Sequence, residues 1–197
     1  MRIITSVGYY CTGSSAVTDY LKEFNNISLV GKGIYEIRFV QDPNGISDLA
    51  YHITEDNHRH NTSHAIKKFI KYINYLNGSV YSKRYRRFFG NKFYEISMKY
   101  IDDITELKSK TWWHYDQIEK GRFFCFIDYA YGFISRKFRA EGGKSLLKNR
   151  ENGYYTAIEP EKFYQITRNY LDDLFSIANV NNTENIKAEE RIESNGK

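Results

Sequence analysis

Residues 6–16 read Ser-Val-Gly-Tyr-Tyr-Cys-Thr-Gly-Ser-Ser-Ala, and this stretch decides the expected fold. An apolar run rich in β-branched residues, Arg2 to Val7, leads into it, and such a run is typical of a buried strand. From Ser14 onward the apolar residues recur at helical spacing and share one face. That face comprises Ala16, Val17, Tyr20, Leu21 and Phe24. The sequence therefore predicts a strand, a glycine-bearing loop and a helix in direct succession.

Two further strands are expected after this helix, over Ile27 to Val30 and Tyr35 to Val40, before the turn signal Asp42-Pro43-Asn44-Gly45. A strand, a helix and a second strand in this order open a parallel sheet. The expected fold class is therefore α/β, with a small parallel sheet and a large helical portion. Since three strands are few for an open α/β sheet, we also expect a domain that is incomplete at its C-terminus.

The rest of the chain has mostly helical periodicity. Helices are predicted over Ser63 to Asn77, Asn91 to Leu107 and Glu161 to Ala178. Residues 181–197 are almost wholly polar and charged, so we expect a disordered tail there. The expected organisation is one domain over residues 1–180, followed by this tail.

The composition is that of a globular chain with a substantial core. Hydrophobic residues make up 41% and charged residues 27% of the 197 residues, and there are 18 Tyr and 13 Phe. The aromatic residues fit two interpretations, the filling of a core and a stacking platform for a sugar or base. The net charge of +5 favours phosphorylated ligands by long-range attraction, but it is too small to indicate nucleic acid.

Cysteine usage and the apolar runs bear on the compartment. Cys11 and Cys125 stand far apart with no partner at metal spacing, so we expect neither a disulfide framework nor a zinc site. The apolar run at the N-terminus is too short for a signal peptide, and no segment reaches the ~20 apolar residues of a membrane span. We therefore expect a cytoplasmic protein with no transmembrane segment.

The loop after the first predicted strand follows the phosphate-loop template G-x-x-x-x-G-K-S/T in part. Gly8 and Gly13 match the two glycines, Ser15 matches the hydroxyl position, and Ser14 stands at the lysine. A loop of this kind turns backbone N–H groups inward at the positive end of the next helix, where they bind an anion. The hydroxyl of Thr12 would add a donor. Gly-Ser-Ser before an apolar helix is also ordinary capping sequence, and this alternative stays open.

The run from Tyr10 to Val17 resembles the 5′-phosphosulfate-binding loop of the sulfotransferases. It is also similar to the bacterial sulfotransferase-like proteins of capsule and cell-surface polysaccharide synthesis. The resemblance implies a P-loop-type three-layer α/β/α fold, the donor 3′-phosphoadenosine 5′-phosphosulfate, and transfer of a sulfuryl group to a hydroxyl of a carbohydrate or cell-surface precursor. We expect no metal. By position, the segment Thr12-Gly13-Ser14-Ser15 would hold the 5′-phosphate. Cys11 stands where the family carries a basic residue.

The basic cluster Lys83-Arg84-Tyr85-Arg86-Arg87 is a candidate source of the positive charge that the loop lacks at Cys11. The guanidinium groups of Arg86 and Arg87 would bind the nucleotide or an anionic acceptor by hydrogen bonds. The alternative interpretation is a solvated basic loop between two helices.

Transfer to a hydroxyl also needs a group that accepts its proton. His64 is one candidate. Glu36 and Asp42 are two others, because they flank the end of the third predicted strand, the edge where α/β proteins bind ligands. Two alternative functions remain open, a non-catalytic binding or scaffold protein and a nucleotide-dependent small-molecule kinase, although Ser14 at the lysine position disfavours the kinase.

Overall fold

The computed structural model describes residues 14–21, 23–24, 38–78, 85, 89–110, 114–138 and 152–194. α-Helices predominate in this part of the chain. Its elements are, in order, α1 (Ser14–Leu21), α2 (Ile46–Thr54), α3 (Arg59–Gly78), α4 (Lys92–Ile104), β1 (Leu107–Lys110), α5 (His114–Phe138), β2 (Asn152–Tyr155) and α6 (Pro160–Ser194). The strands β1 and β2 pair antiparallel, with Leu107 opposite Tyr155 and Lys110 opposite Asn152.

The predicted three-layer fold with a parallel sheet is wrong, because the described residues form a helical protein whose one small sheet is antiparallel. The predicted strands Arg2 to Val7 and Ile27 to Val30 lie outside the described residues. The described end of the third predicted strand forms a turn instead. The backbone N–H groups of Gln41 and Asp42 both donate to the carbonyl of Arg38, each at 2.8 Å, and this closes the chain on itself.

The predicted helices are confirmed, with shifted ends. Helix α1 begins at Ser14, where its apolar spacing starts, and α3 begins before the predicted Ser63. Helix α4 ends at Ile104, because Leu107 belongs to β1. Helix α6 begins at Pro160 and runs past the predicted end into the segment expected to be a tail. The one-domain organisation and the disorder of residues 181–197 stay predictions.

The hydrophobic core lies between α2, α3, α4 and α6 and is built largely from aromatic rings. Its largest fully buried side chains include Phe39, Phe69, Phe89, Phe93, Tyr100 and Phe163. The small sheet packs on α3, where the Tyr154 N–H donates to the Ser63 hydroxyl at 3.1 Å. The core-filling interpretation of the aromatic residues is therefore confirmed for these rings.

The turn signal Asp42-Pro43-Asn44-Gly45 is confirmed, and it leads into α2. The Gly45 N–H donates to the Asp42 carbonyl at 2.8 Å, and the Ile46 N–H donates to the Phe39 carbonyl at 3.1 Å. Asn44 takes a φ of 64°, a conformation that asparagine tolerates well. Its N–H donates to Asp48 at 2.7 Å, which ties the turn to the first turn of α2.

Two buried tyrosines join α4 to α6 by reciprocal hydrogen bonds. The Ser97 hydroxyl donates to a carbonyl on its own helix at 2.7 Å, so the Tyr170 hydroxyl donates to Ser97 at 2.8 Å. In the same way Thr167 donates to a carbonyl of α6 at 2.9 Å, and Tyr100 donates to Thr167 at 2.9 Å. The two tyrosine rings stack, with centroids 4.3 Å apart. Each helix therefore supplies one ring and one acceptor hydroxyl.

This tyrosine pair predicts a loss of stability at alkaline pH. Burial raises the pKa of both Tyr100 and Tyr170 above the ordinary value of 10.0. The folded protein then keeps protons that the unfolded chain releases, so the stabilisation is complete below about pH 10 and falls above it. We expect the free energy of unfolding from urea denaturation to drop by up to ~1.4 kcal/mol per pH unit for each buried tyrosine.

Two phenylalanine variants test the source of this pH dependence. Tyr170→Phe removes one buried ionisable hydroxyl, so its unfolding free energy should fall less steeply above about pH 10. Tyr51→Phe is the matched control, because Tyr51 is exposed and its loss should leave the slope unchanged. A wild-type unfolding free energy that stays flat into the alkaline range would contradict the prediction.

Candidate functional site

The described part of the predicted phosphate loop is its helical end. Ser14 and Ser15 form the start of α1, while Gly8, Cys11, Thr12 and Gly13 lie outside the described residues. The first N–H groups of any α-helix have no acceptor within the helix, and they carry the positive end of its dipole. The junction at Ser14 therefore has the helix start that an anion-binding loop requires.

The other predicted donor-binding residues, Arg86 and Arg87, also lie outside the described residues, but the structure describes Tyr85, the residue before them. Tyr85 is buried in the core, and the Phe39 N–H donates to its hydroxyl at 3.1 Å. Tyr85, which belongs to the basic cluster, is therefore held against the turn that carries Asp42.

Asp42 is half-buried and holds the turn against α3. Its carboxylate accepts a hydrogen bond from the Tyr72 hydroxyl at 2.6 Å. Burial, reinforced by the bond to Asp42, raises the pKa of Tyr72, so this hydroxyl remains a donor. Asp42 has an anchoring role that the sequence did not indicate, and its role as a proton acceptor stays a prediction. Glu36, the other carboxylate candidate, lies outside the described residues.

His64 is the predicted site residue that meets a second ionisable group across two helices. It lies within α3, half-buried, and its Nε2 is 3.7 Å from the Oε1 of Glu119 in α5. A carboxylate at this distance attracts the protonated imidazole, which suits a histidine that accepts a proton. Sequence reasoning missed Glu119, because no spacing signal links residues on two helices that are distant in the chain.

Two further histidines, His52 and His58, lie at the junction of α2 and α3. His52 Nδ1 lies 3.5 Å from Asp56, and the same Asp56 oxygen accepts a hydrogen bond from the Asn61 amide at 2.6 Å. The Thr62 hydroxyl donates to the His58 carbonyl at 3.1 Å. Within the described ranges, no group of three or more His, Cys, Asp or Glu side chains is arranged to hold a metal ion.

A shallow groove of about 330 Å³ runs between α4 and α6, beside the tyrosine pair. Its polar lining comprises Lys99, Asp103, Asn169, Asp172 and Asp173. Three carboxylates against one ammonium group repel a phosphate, so this groove does not suit a nucleotide donor.

Comparison of the chain with known protein families, curated proteins and solved structures found no match in any of the three. None of the helices in the described ranges is both long enough and apolar enough to cross a membrane.

Proposed function

We propose that the protein binds a phosphoadenosine-type nucleotide at residues 8–15 and transfers its sulfuryl group to a hydroxyl of a carbohydrate or cell-surface precursor. The start of α1 at Ser14, directly after Gly13 of the loop, is the observation that carries the proposal. Backbone amides at this helix end would bind the 5′-phosphate. The proposal needs the junction of loop and helix, and it does not need a parallel sheet.

The reaction requires that the acceptor oxygen attack sulfur while the bond between sulfur and the phosphate oxygen of the donor breaks. The products are the sulfated acceptor and 3′-phosphoadenosine 5′-phosphate. The acceptor hydroxyl gives up its proton, and neutral His64 would take it. Glu119, at 3.7 Å from the imidazole, would then stabilise the imidazolium that forms. Arg86 and Arg87 would supply the positive charge that Cys11 does not.

Calorimetric titration with 3′-phosphoadenosine 5′-phosphate, ATP and GTP tests the nucleotide class. We expect selective binding of the first. Preference for ATP or GTP in the presence of Mg²⁺ would instead favour the kinase alternative. An absence of binding to all three would overturn the proposal and favour a scaffold protein.

A glycine-to-aspartate pair tests the position of the site. Gly13→Asp adds a carboxylate at the loop, and charge repulsion should weaken nucleotide binding by at least about tenfold. Gly78→Asp is the matched control, because a Cβ atom at Gly78 would have no atom within 4 Å apart from its chain neighbours and the backbone of its own helix. Equal weakening by both variants would contradict a site at the loop.

A further inference from the structure

The second half of α5 exposes its aromatic side chains. Gly121 interrupts the helix with φ 85° and ψ 168°, a conformation that favours glycine, and a continuous helical segment follows from Arg122 to Lys137. Phe123, Phe126 and Tyr129 are 78%, 69% and 68% exposed. Phe133, Ile134 and Ile127 extend the same surface. Among the described helices and strands, none packs along this segment, and the contact of α5 with α3 through Glu119 and His64 lies before Gly121.

Apart from the half-buried Phe124, the opposite face of this segment is polar or small, which reverses the usual orientation of a surface helix. Asp128 is only 6% exposed, and Cys125, Gly132 and Ser135 are half-buried on the same side. An apolar surface that faces outward at helical spacing marks an interaction site.

Charge identifies the kind of partner. Arg122 at one end of the segment and Arg136 and Lys137 at the other are exposed, while Asp128, the one carboxylate between residues 122 and 137, lies on the buried side. A second copy of the chain would bring cations together in either orientation, Arg122 facing Arg122 when parallel and Arg136 when antiparallel. A surface that is both apolar and negatively charged is complementary to this face.

We propose that the exposed side of segment 122–137 of α5, which we call the aromatic face, lies in the headgroup region of an anionic phospholipid bilayer. Aromatic rings insert at the boundary between headgroups and acyl chains, and the cations at the two ends contact the phosphates. The helix lies along the membrane surface and does not cross it. This inference is independent of the proposed nucleotide site.

Flotation with vesicles tests the membrane contact. We expect the protein to float with vesicles of phosphatidylcholine mixed with phosphatidylglycerol, and to float much less with phosphatidylcholine alone. The double variant Phe126→Gln and Phe133→Gln should reduce vesicle partitioning by about tenfold or more, because two exposed rings are lost. The matched control changes two exposed aromatic residues elsewhere, Tyr51→Gln and Tyr164→Gln, and should bind like the wild type.

Three results would overturn the proposal. These are no flotation of the wild type, equal flotation with neutral and anionic vesicles, and equal flotation of the wild type and the Phe126/Phe133 variant. Sedimentation equilibrium tests the alternative that a second copy of the chain binds this face. A wild-type dimer that dissociates in the Phe126/Phe133 variant would assign the aromatic face to a second copy. Circular dichroism of both double variants verifies that the helices are retained.

Discussion

Replacing Phe39 with alanine is expected to lower the free energy of unfolding by about 4 kcal/mol. Its side chain is fully buried at the centre of the core. It contacts four rings edge to face, with centroids 5.9 to 6.4 Å away; these belong to Tyr85, Phe89, Phe93 and Tyr170. Alanine would leave a cavity that these four rings, held by other contacts, fill only in part.

Urea denaturation of the Phe39→Ala variant measures the effect. Phe123→Ala is the matched control, because the Phe123 side chain is 78% exposed. Its loss should change the free energy of unfolding by no more than ~0.5 kcal/mol. Similar losses for the two variants would show that Phe39 does not occupy the centre of the core.

Replacing Gly45 with alanine is expected to destabilise the protein by about 3 kcal/mol, or to prevent folding. A Cβ atom at this position would lie 2.3 Å from the Phe39 carbonyl oxygen and 2.7 Å from that of Asp42. Both atoms belong to the backbone, and the Gly45 N–H itself donates to the Asp42 carbonyl. The turn therefore cannot relieve the clash without breaking the backbone hydrogen bonds that hold it together just before α2.

Gly132→Ala provides the control for a glycine in open space. A Cβ at Gly132 would have no atom within 4 Å apart from its chain neighbours and the backbone of its own helix. Alanine is favoured over glycine there by up to ~1 kcal/mol, so this variant should be as stable as the wild type or more stable. Thermal unfolding followed by circular dichroism compares the two, and a Gly45→Ala protein as stable as wild type would contradict the geometry of the turn.

Local patterns predicted the helices well where one apolar face meets the core. The periodicity of residues such as Phe69, Ile101 and Leu174 follows that face, and all three are buried. Helix α5 escaped prediction because apolar residues such as Phe123 lie on its exposed side, so its pattern does not describe a core-facing helix. The strands were missed because Leu-Lys-Ser-Lys and Asn-Gly-Tyr-Tyr carry no β-branched apolar alternation.

The fold class was predicted wrongly because an apolar run does not show how a strand pairs. An apolar run indicates burial, but which partner a strand chooses depends on contacts that are distant in the chain. Within the candidate site, the sequence identified His64 but not Glu119, and it identified Asp42 but not its bond to Tyr72. Both contacts join residues that are distant in the chain, which no local spacing encodes.

We expect the loop before α1 to bind the nucleotide phosphate. Backbone amide NMR of the 23.3 kDa protein tests it most directly, by titration with 3′-phosphoadenosine 5′-phosphate. We predict that the largest chemical-shift changes fall on the amides of residues 12–16, and that those of the groove between α4 and α6 hardly move. Largest changes in that groove, or no change at residues 12–16 while the nucleotide binds, would contradict the account.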